Sequence, residues 1–147
     1  MVLFTDLFTE IVRVEIELWN GLDVHLLEAA GLSLPQFQAL DAIRANVGAA
    51  RVQDISQRMA ITVGATSKVV DRLERDGLAV RSAHPTDRRS SIVALTDRGA
   101  SALKIADDAA ERHLRGELGG VLSDDDAGRL LLDLTALRAH SRAEVAK

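Results

Sequence analysis

Two groups of residues in this chain have types and spacings suited to gripping a polyanion. The first is the polar run His84-Pro85-Thr86-Asp87-Arg88-Arg89, which separates two short apolar stretches. Adjacent arginines at a hairpin tip suit a narrow, electronegative groove such as the minor groove of A·T-rich DNA, and a guanidinium fork also matches phosphate. Asp87 beside them would be repelled by phosphate, so its role there is to orient an arginine. The second group is Gly64-Ala65-Thr66-Ser67-Lys68, at the start of a helical pattern. Gly64 and Ala65 let a backbone approach closely, Ser67 can donate or accept, and Lys68 can reach guanine or a phosphate. Two of these have plainer alternatives: an ion pair with Asp71 one turn on for Lys68, and simple solvation for Ser67. Arg72 suits a phosphate or an ion pair with Asp87 equally well. Gln53, Thr62 and Thr66 stand near predicted helix starts, where donors commonly meet phosphates.

Other chemistries find no support. The chain has 147 residues and no cysteine, which excludes disulfides, thiolate metal sites and thiol catalysis. There is no Gly-x-Ser-x-Gly, no phosphate-cradling glycine loop and no convincing carboxylate pair, so no enzyme is expected. His25, His84, His113 and His140 are dispersed without metal-ligand spacing, and neither metal nor cofactor is expected. No apolar run is long enough to span a membrane, and residues 1–30 lack a basic signal-peptide start, so a cytoplasmic protein is expected. The net charge of −4 leans away from nucleic acid when taken whole. Its distribution leans back: residues 51–89 hold eight Lys/Arg against five Asp/Glu, a local charge of +3, and the rest of the chain holds the acid.

The elements that must position these residues are mostly helical. With only Pro35 and Pro85, long segments are free to coil. Residues 2–30 predict one long helix with Phe4, Phe8, Ile11, Leu18, Leu22 and Leu26 on one stripe and further apolar residues round the cylinder, so it must be covered on more than one side. Gly31 suits its C-terminal cap. Ser33 with Gln36 makes a capping box for a second helix ending near Gly48. A short helix follows over 52–60. Thr62 caps another, running to about Arg75 with Val69, Val70 and Leu73 inward, and Asp76-Gly77 ends it. Leu78 to Ser82 and Ser90 to Leu95 then predict a two-stranded hairpin. Thr96 caps a helix to Leu118, and Ser123-Asp124-Asp125-Asp126 starts the last one. Two helices joined by a tight turn and followed by a hairpin predict a winged helix-turn-helix: one helix enters the major groove and the hairpin reaches the backbone or minor groove beside it.

At this level of detail the residues resemble the MarR family of transcriptional regulators. Leu34-Pro35-Gln36-Phe37-Gln38-Ala39-Leu40 is similar to the family's second-helix opening, and Asp54-Ile55-Ser56-Gln57-Arg58-Met59 to the helix before its recognition helix. Thr66-Ser67-Lys68-Val69-Val70-Asp71-Arg72-Leu73-Glu74-Arg75-Asp76-Gly77-Leu78 resembles the recognition helix and its exit turn. Most specific is residues 85–99, an Asp-x-Arg tip running into Leu95-Thr96-Asp97-Arg98-Gly99. Val63-Gly64 departs from the longer polar pair of many relatives and leaves few side chains to read bases.

The resemblance implies a mainly α fold with a small β-hairpin wing: an N-terminal dimerisation helix (1–32), a winged helix-turn-helix (33–100) and C-terminal dimerisation helices (101–147), in one compact unit. It implies a homodimer on a pseudo-palindromic operator in double-stranded DNA, a repressor more than an activator, with Arg89 as the inserting residue of the Asp-x-Arg signature. It also implies a small amphipathic or phenolic effector in a cleft near Trp19, His25, Asp41 and Arg44, with Leu22 and Phe37 more simply explained as core. The competing expectation is a winged helix that binds protein alone.

Overall fold

The structure is a computed structural model that describes residues 1–87 and 90–145. Its elements are α1 (Phe4–Ala30), α2 (Leu34–Ala45), β1 (Ala49–Arg51), α3 (Val52–Met59), α4 (Val63–Arg75), β2 (Ala79–Ala83), β3 (Ser91–Leu95), α5 (Asp97–Leu118) and α6 (Asp124–Val145). Every helix and strand expected from the sequence is present, with ends within a few residues.

Local chemistry sets these ends. Gly31 takes the left-handed conformation (φ 66°) and its N–H closes the last turn of α1 onto Leu26 and Leu27. The Ser33 hydroxyl accepts from Gln36 N–H, and Gln36 Oε1 accepts the Ser33 N–H at 3.0 Å, completing the capping box. Gln36 is buried and its Nε2 also donates to Asp76 at 3.0 Å, so the start of α2 is tied to the end of α4. Asp23 of α1 accepts the Leu34 N–H at 2.6 Å.

The sheet corrects the expected two-stranded hairpin. It has three antiparallel strands in the order β1-β3-β2, with Ala50 opposite Val93 and Arg81 also opposite Val93. The reason is that the hairpin's β3 has a free edge, and Ala49–Arg51 fills it as the chain passes from α2 to α3. Val47 (φ 60°) and Gly48 (φ 81°) turn the chain onto that edge. Three residues reading Ala-Ala-Arg carry no alternation that a sequence reading would register.

The chain divides into two compact units, Met1–Glu111 and Arg112–Lys147. The division falls inside α5. The C-terminal half of α1 and the first part of α5 are integral to the first unit: Leu26, Leu40, Ile43, Ile55, Val70, Leu73, Val93 and Leu103 are all fully buried there. Burying these side chains out of water is the main force holding the unit, at about 1.5–3 kcal/mol for each large one. The second unit consists of the end of α5 and α6, whose first turn carries Asp124, Asp125 and Asp126. Those carboxylates meet the positive end of the helix dipole, and Ser123 Oγ accepts the Asp126 N–H at 3.2 Å. No described helix is long and apolar enough to cross a membrane.

Candidate nucleic-acid interface

Helix α4 is amphipathic, and its two faces are cleanly divided. Thr66, Val70 and Leu73 are buried, whereas Val63, Gly64, Ala65, Lys68, Asp71, Arg72 and Arg75 are exposed. The tight turn before it is built by side chains as well as backbone. Ala60 takes a left-handed conformation (φ 56°), and Ser56 Oγ donates to the Ile61 carbonyl at 2.7 Å. Thr62 then caps α4, its hydroxyl accepting the Ala65 N–H at 3.2 Å. A Cβ placed on Gly64 would meet nothing within 4 Å. The N-terminal end of α4 thus presents an open, small-residue surface with one flexible cation, Lys68, beside it.

Several expectations resolve here. Thr66 is corrected: it is fully buried and its hydroxyl donates to the Thr62 carbonyl at 2.9 Å, so it does not face a ligand. Bonding back to the preceding turn satisfies the hydroxyl and lets it sit in the core. Thr62 and Gln53 are exposed and Ser67 is half-buried. The Lys68–Asp71 pair is not formed; Asp71 instead receives Arg81 at 3.0 Å. Nor does Arg72 pair with Asp87: Arg72 is exposed and makes no ion pair among the described residues. Arg88 and Arg89 lie outside the described residues. Below that tip, Asp87 is half-buried, and the His84 Nδ1 lies close to the N–H groups of Thr86 (3.3 Å) and Asp87 (3.2 Å). His84 Nε2 lies 2.8 Å from the Arg51 guanidinium at the junction of β1 and α3, so the wing is tied to the helix-turn-helix at its base. No local sequence signal assigns His84 this part.

Wing and helix α5 meet through a compact device. Thr96 Oγ donates to the Gly77 carbonyl at 2.8 Å and accepts the Gly99 N–H at 3.0 Å, while Thr96 N–H bonds the Leu78 carbonyl at 3.2 Å. The Thr-x-x-Gly spacing is needed because a Cβ on Gly99 would stand 1.9 Å from the Leu78 carbonyl oxygen.

The expected effector residues fall in different settings. Trp19 lines a shallow concavity of about 290 Å³ with Glu15, Ile16 and Asn20, all on α1. The His25 Nδ1 lies 3.0 Å from the Gly21 carbonyl one turn back. Asp41 and Arg44 belong to an ion-pair cluster that joins α2, α3 and α5. Arg44 contacts Asp107 and, at 2.5 Å, Asp41, and Asp41 also receives Arg58 at 3.0 Å. Burial pushes the Asp41 carboxyl upward, but hydrogen bonds and charge from Arg44 and Arg58 outweigh it and hold the group below its usual range. The hydrogen bonds from Arg44 to Asp107 and Asp41 raise the arginine in turn. Among the described residues no three His, Cys, Asp or Glu side chains gather as a metal site.

Comparison with known proteins decides the family. The model of the MarR family matches residues 30–90. YkoM of Bacillus subtilis (strain 168), an uncharacterised HTH-type transcriptional regulator, is 34% identical over 113 residues, which cover 76% of this chain and 71% of that protein. This chain belongs to the MarR family. It is accordingly a winged helix-turn-helix transcriptional regulator, and the protein-only scaffold reading finds no support among the relatives. Solved MarR-family structures share its fold. Sco3205 from Streptomyces coelicolor, solved in complex with DNA, superposes with a TM-score of 0.83 over 93% of this chain and 86% of its own at 21% identity. The organohalide sensing RdhR-CbdbA1625 regulator, in its 2,4-dichlorophenol bound form, superposes with a TM-score of 0.82 over 95% and 82% of the two chains at 19% identity.

Proposed function

We propose that this MarR-family chain is a cytoplasmic, ligand-responsive repressor that binds a pseudo-palindromic operator as a homodimer. The observation that carries it is the exposed face of α4: Gly64 and Ala65 open the surface, Lys68 and Arg72 stand beside it with no ion pair among the described residues, and Thr62, Gln53 and Ser67 flank it. A helix inserted by its N-terminal end brings these residues to base edges and phosphates, and the wing brings Arg88 and Arg89 to the adjoining groove. Asp87 serves to orient an arginine there.

Unpartnered apolar surface supports the dimer. In the first unit Phe4, Phe8 and Ile11 are exposed, although the same stripe further on buries Leu22 and Leu26, and Leu7 and Val12 beside them are exposed too. In the second unit Leu130, Leu131, Leu132, Leu134 and Leu137 of α6 are exposed as well. Apolar patches of this extent mark association surfaces. An amphipathic or phenolic effector near Trp19, His25, Asp41 and Arg44 is supported by the dichlorophenol-bound relative and by the concavity at Trp19. It would act by favouring a dimer whose recognition helices no longer match the groove spacing.

Mobility shift against genomic fragments, with heparin as competitor, tests the proposal together with sedimentation at micromolar concentration. Retention of particular fragments by a dimer is expected, and Arg89→Ala should weaken it and lower the salt slope by about 0.9 if one phosphate contact is lost. A monomer, or indifference to sequence, would overturn it.

A further inference from the structure

We infer that Arg81 is a positioning residue for DNA recognition: it clamps the wing to the recognition helix and offsets part of the negative charge of two carboxylates that α4 carries beside its DNA-facing side. The inference rests on the reading that α4 and the wing meet DNA together. Arg81 lies in β2 and reaches back to α4 by three groups. Its backbone N–H donates to Glu74 Oε1 at 3.0 Å. Its terminal nitrogen donates to Asp71 Oδ1 at 3.0 Å. Its Nε is buried without a hydrogen-bond partner and faces Glu74 Oε2 at 3.7 Å. Only 31% of the Arg81 side chain is exposed, so its charge is directed at the two acids and not outward.

Two physical consequences follow. Between α4 and β2 the chain has only Asp76, Gly77 and Leu78, and Gly77 is a left-handed pivot (φ 71°). A backbone pivot alone leaves the angle between helix and strand soft; a second attachment one and two turns up the helix makes it rigid. The second consequence is electrostatic. Asp71 and Glu74 follow Lys68 by one and two turns, and Arg72 lies between them. Left bare, both carboxylates would repel approaching phosphates and draw Lys68 and Arg72 onto themselves. Arg81 offsets one of these two charges and engages both acids from the protein side, which leaves the two outward cations available.

A mutant cycle tests this. Binding is measured on a duplex of about 30 base pairs selected by the wild-type protein from random sequence, at several salt concentrations. Arg81→Gln keeps the backbone bond to Glu74 and should weaken binding about fivefold, the scale of two partly exposed ion pairs, with the salt slope nearly unchanged. The same substitution placed in an Asp71→Asn/Glu74→Gln background should have little effect, because the acids it balances are gone. Arg81→Lys should retain most of the affinity, and Arg81→Met, uncharged and of similar length, replaces Arg81→Gln in the cycle if the glutamine variant melts below the assay temperature. An equal loss in both backgrounds, or a slope reduced by about 0.9, would make Arg81 a direct phosphate contact and overturn the inference. Amide exchange without DNA gives a separate readout. The Arg81 N–H and the β2–β3 amides should exchange faster in Arg81→Gln, and unchanged exchange would remove the clamp even if the wild-type protein selected no duplex.

Discussion

Gly99→Ala offers the sharpest test of how the wing is anchored. A Cβ there would stand 1.9 Å from the Leu78 carbonyl oxygen and 2.9 Å from its carbon, against an ordinary contact distance starting at 3.4 Å. The obstacle is backbone, so no rotamer change relieves it. Either the start of α5 or the Leu78 peptide must retreat by roughly 1.5 Å, far beyond what a well-packed core absorbs without cost. That movement breaks the Thr96 N–H bond to Leu78 and pulls apart the Thr96 hydroxyl bridge between Gly77 and Gly99. Overpacking costs about 1–3 kcal/mol and a damaged helix cap about 1 kcal/mol more, while alanine returns up to about 1 kcal/mol of helix propensity. The net expectation is a loss of about 1–3 kcal/mol, or roughly 3–10 °C in Tm for a chain of this size. Thermal melts followed by circular dichroism read it directly. Gly116→Ala in the same helix is the control: its Cβ meets nothing within 4 Å, and propensity alone should raise stability by up to about 1 kcal/mol. If Gly99→Ala behaved like Gly116→Ala, the close approach of α5 to Leu78 would be wrong.

Three further outcomes are expected. Lys68→Ala should reduce DNA affinity without lowering Tm; a salt slope smaller by about 0.9 marks a phosphate contact, and a broadened set of selected sequences marks base reading. Asp41→Asn should remove an acid-sensitive part of stability. The folded-state carboxyl titrates below its usual range, so its contribution is present above about pH 4 and is lost as pH falls through the lower folded value. Urea denaturation from pH 5 to pH 2 should therefore show the wild-type protein losing about 1 kcal/mol relative to the variant. Val47→Asn should stabilise by about 1 kcal/mol, since a β-branched residue at φ 60° is strained and asparagine tolerates that region; a lower Tm would show that the turn depends on valine itself.

What could be read along the chain is what neighbours in sequence decide. Ser33 with Gln36, Thr62 and Thr96 announce helix starts because a cap bonds a residue three positions on. Gly31 and Gly77 announce ends because left-handed turns favour glycine. The exposed α4 surface of Gly64, Ala65, Lys68 and Arg72 follows from helical spacing once the inward Val70 and Leu73 are recognised. The family pattern is visible for the same reason: its most specific stretch, residues 85–99, is one continuous run.

Tertiary structure decided whatever depends on groups distant in the chain. Strand β1 exists because β3 has an edge to fill, which Ala49-Ala50-Arg51 cannot announce. Thr66 reads as a polar surface residue until packing shows its hydroxyl satisfied within the helix and its methyl group in the core. Arg44 meets Asp107 across 63 residues, beyond the reach of any helical spacing. Helical spacing offers Asp71 to Lys68, but the first strand of the hairpin runs back past α4 and carries Arg81 to it, and a rigid strand outcompetes a flexible lysine that gains more from solvation. The sequence by itself determined the helices and their caps, because these are set by interactions within one turn, and the cationic character of residues 51–89, because charge is counted along the chain. Which of its charges point outward and which are spent holding wing and helix together was decided only when the chain closed on itself.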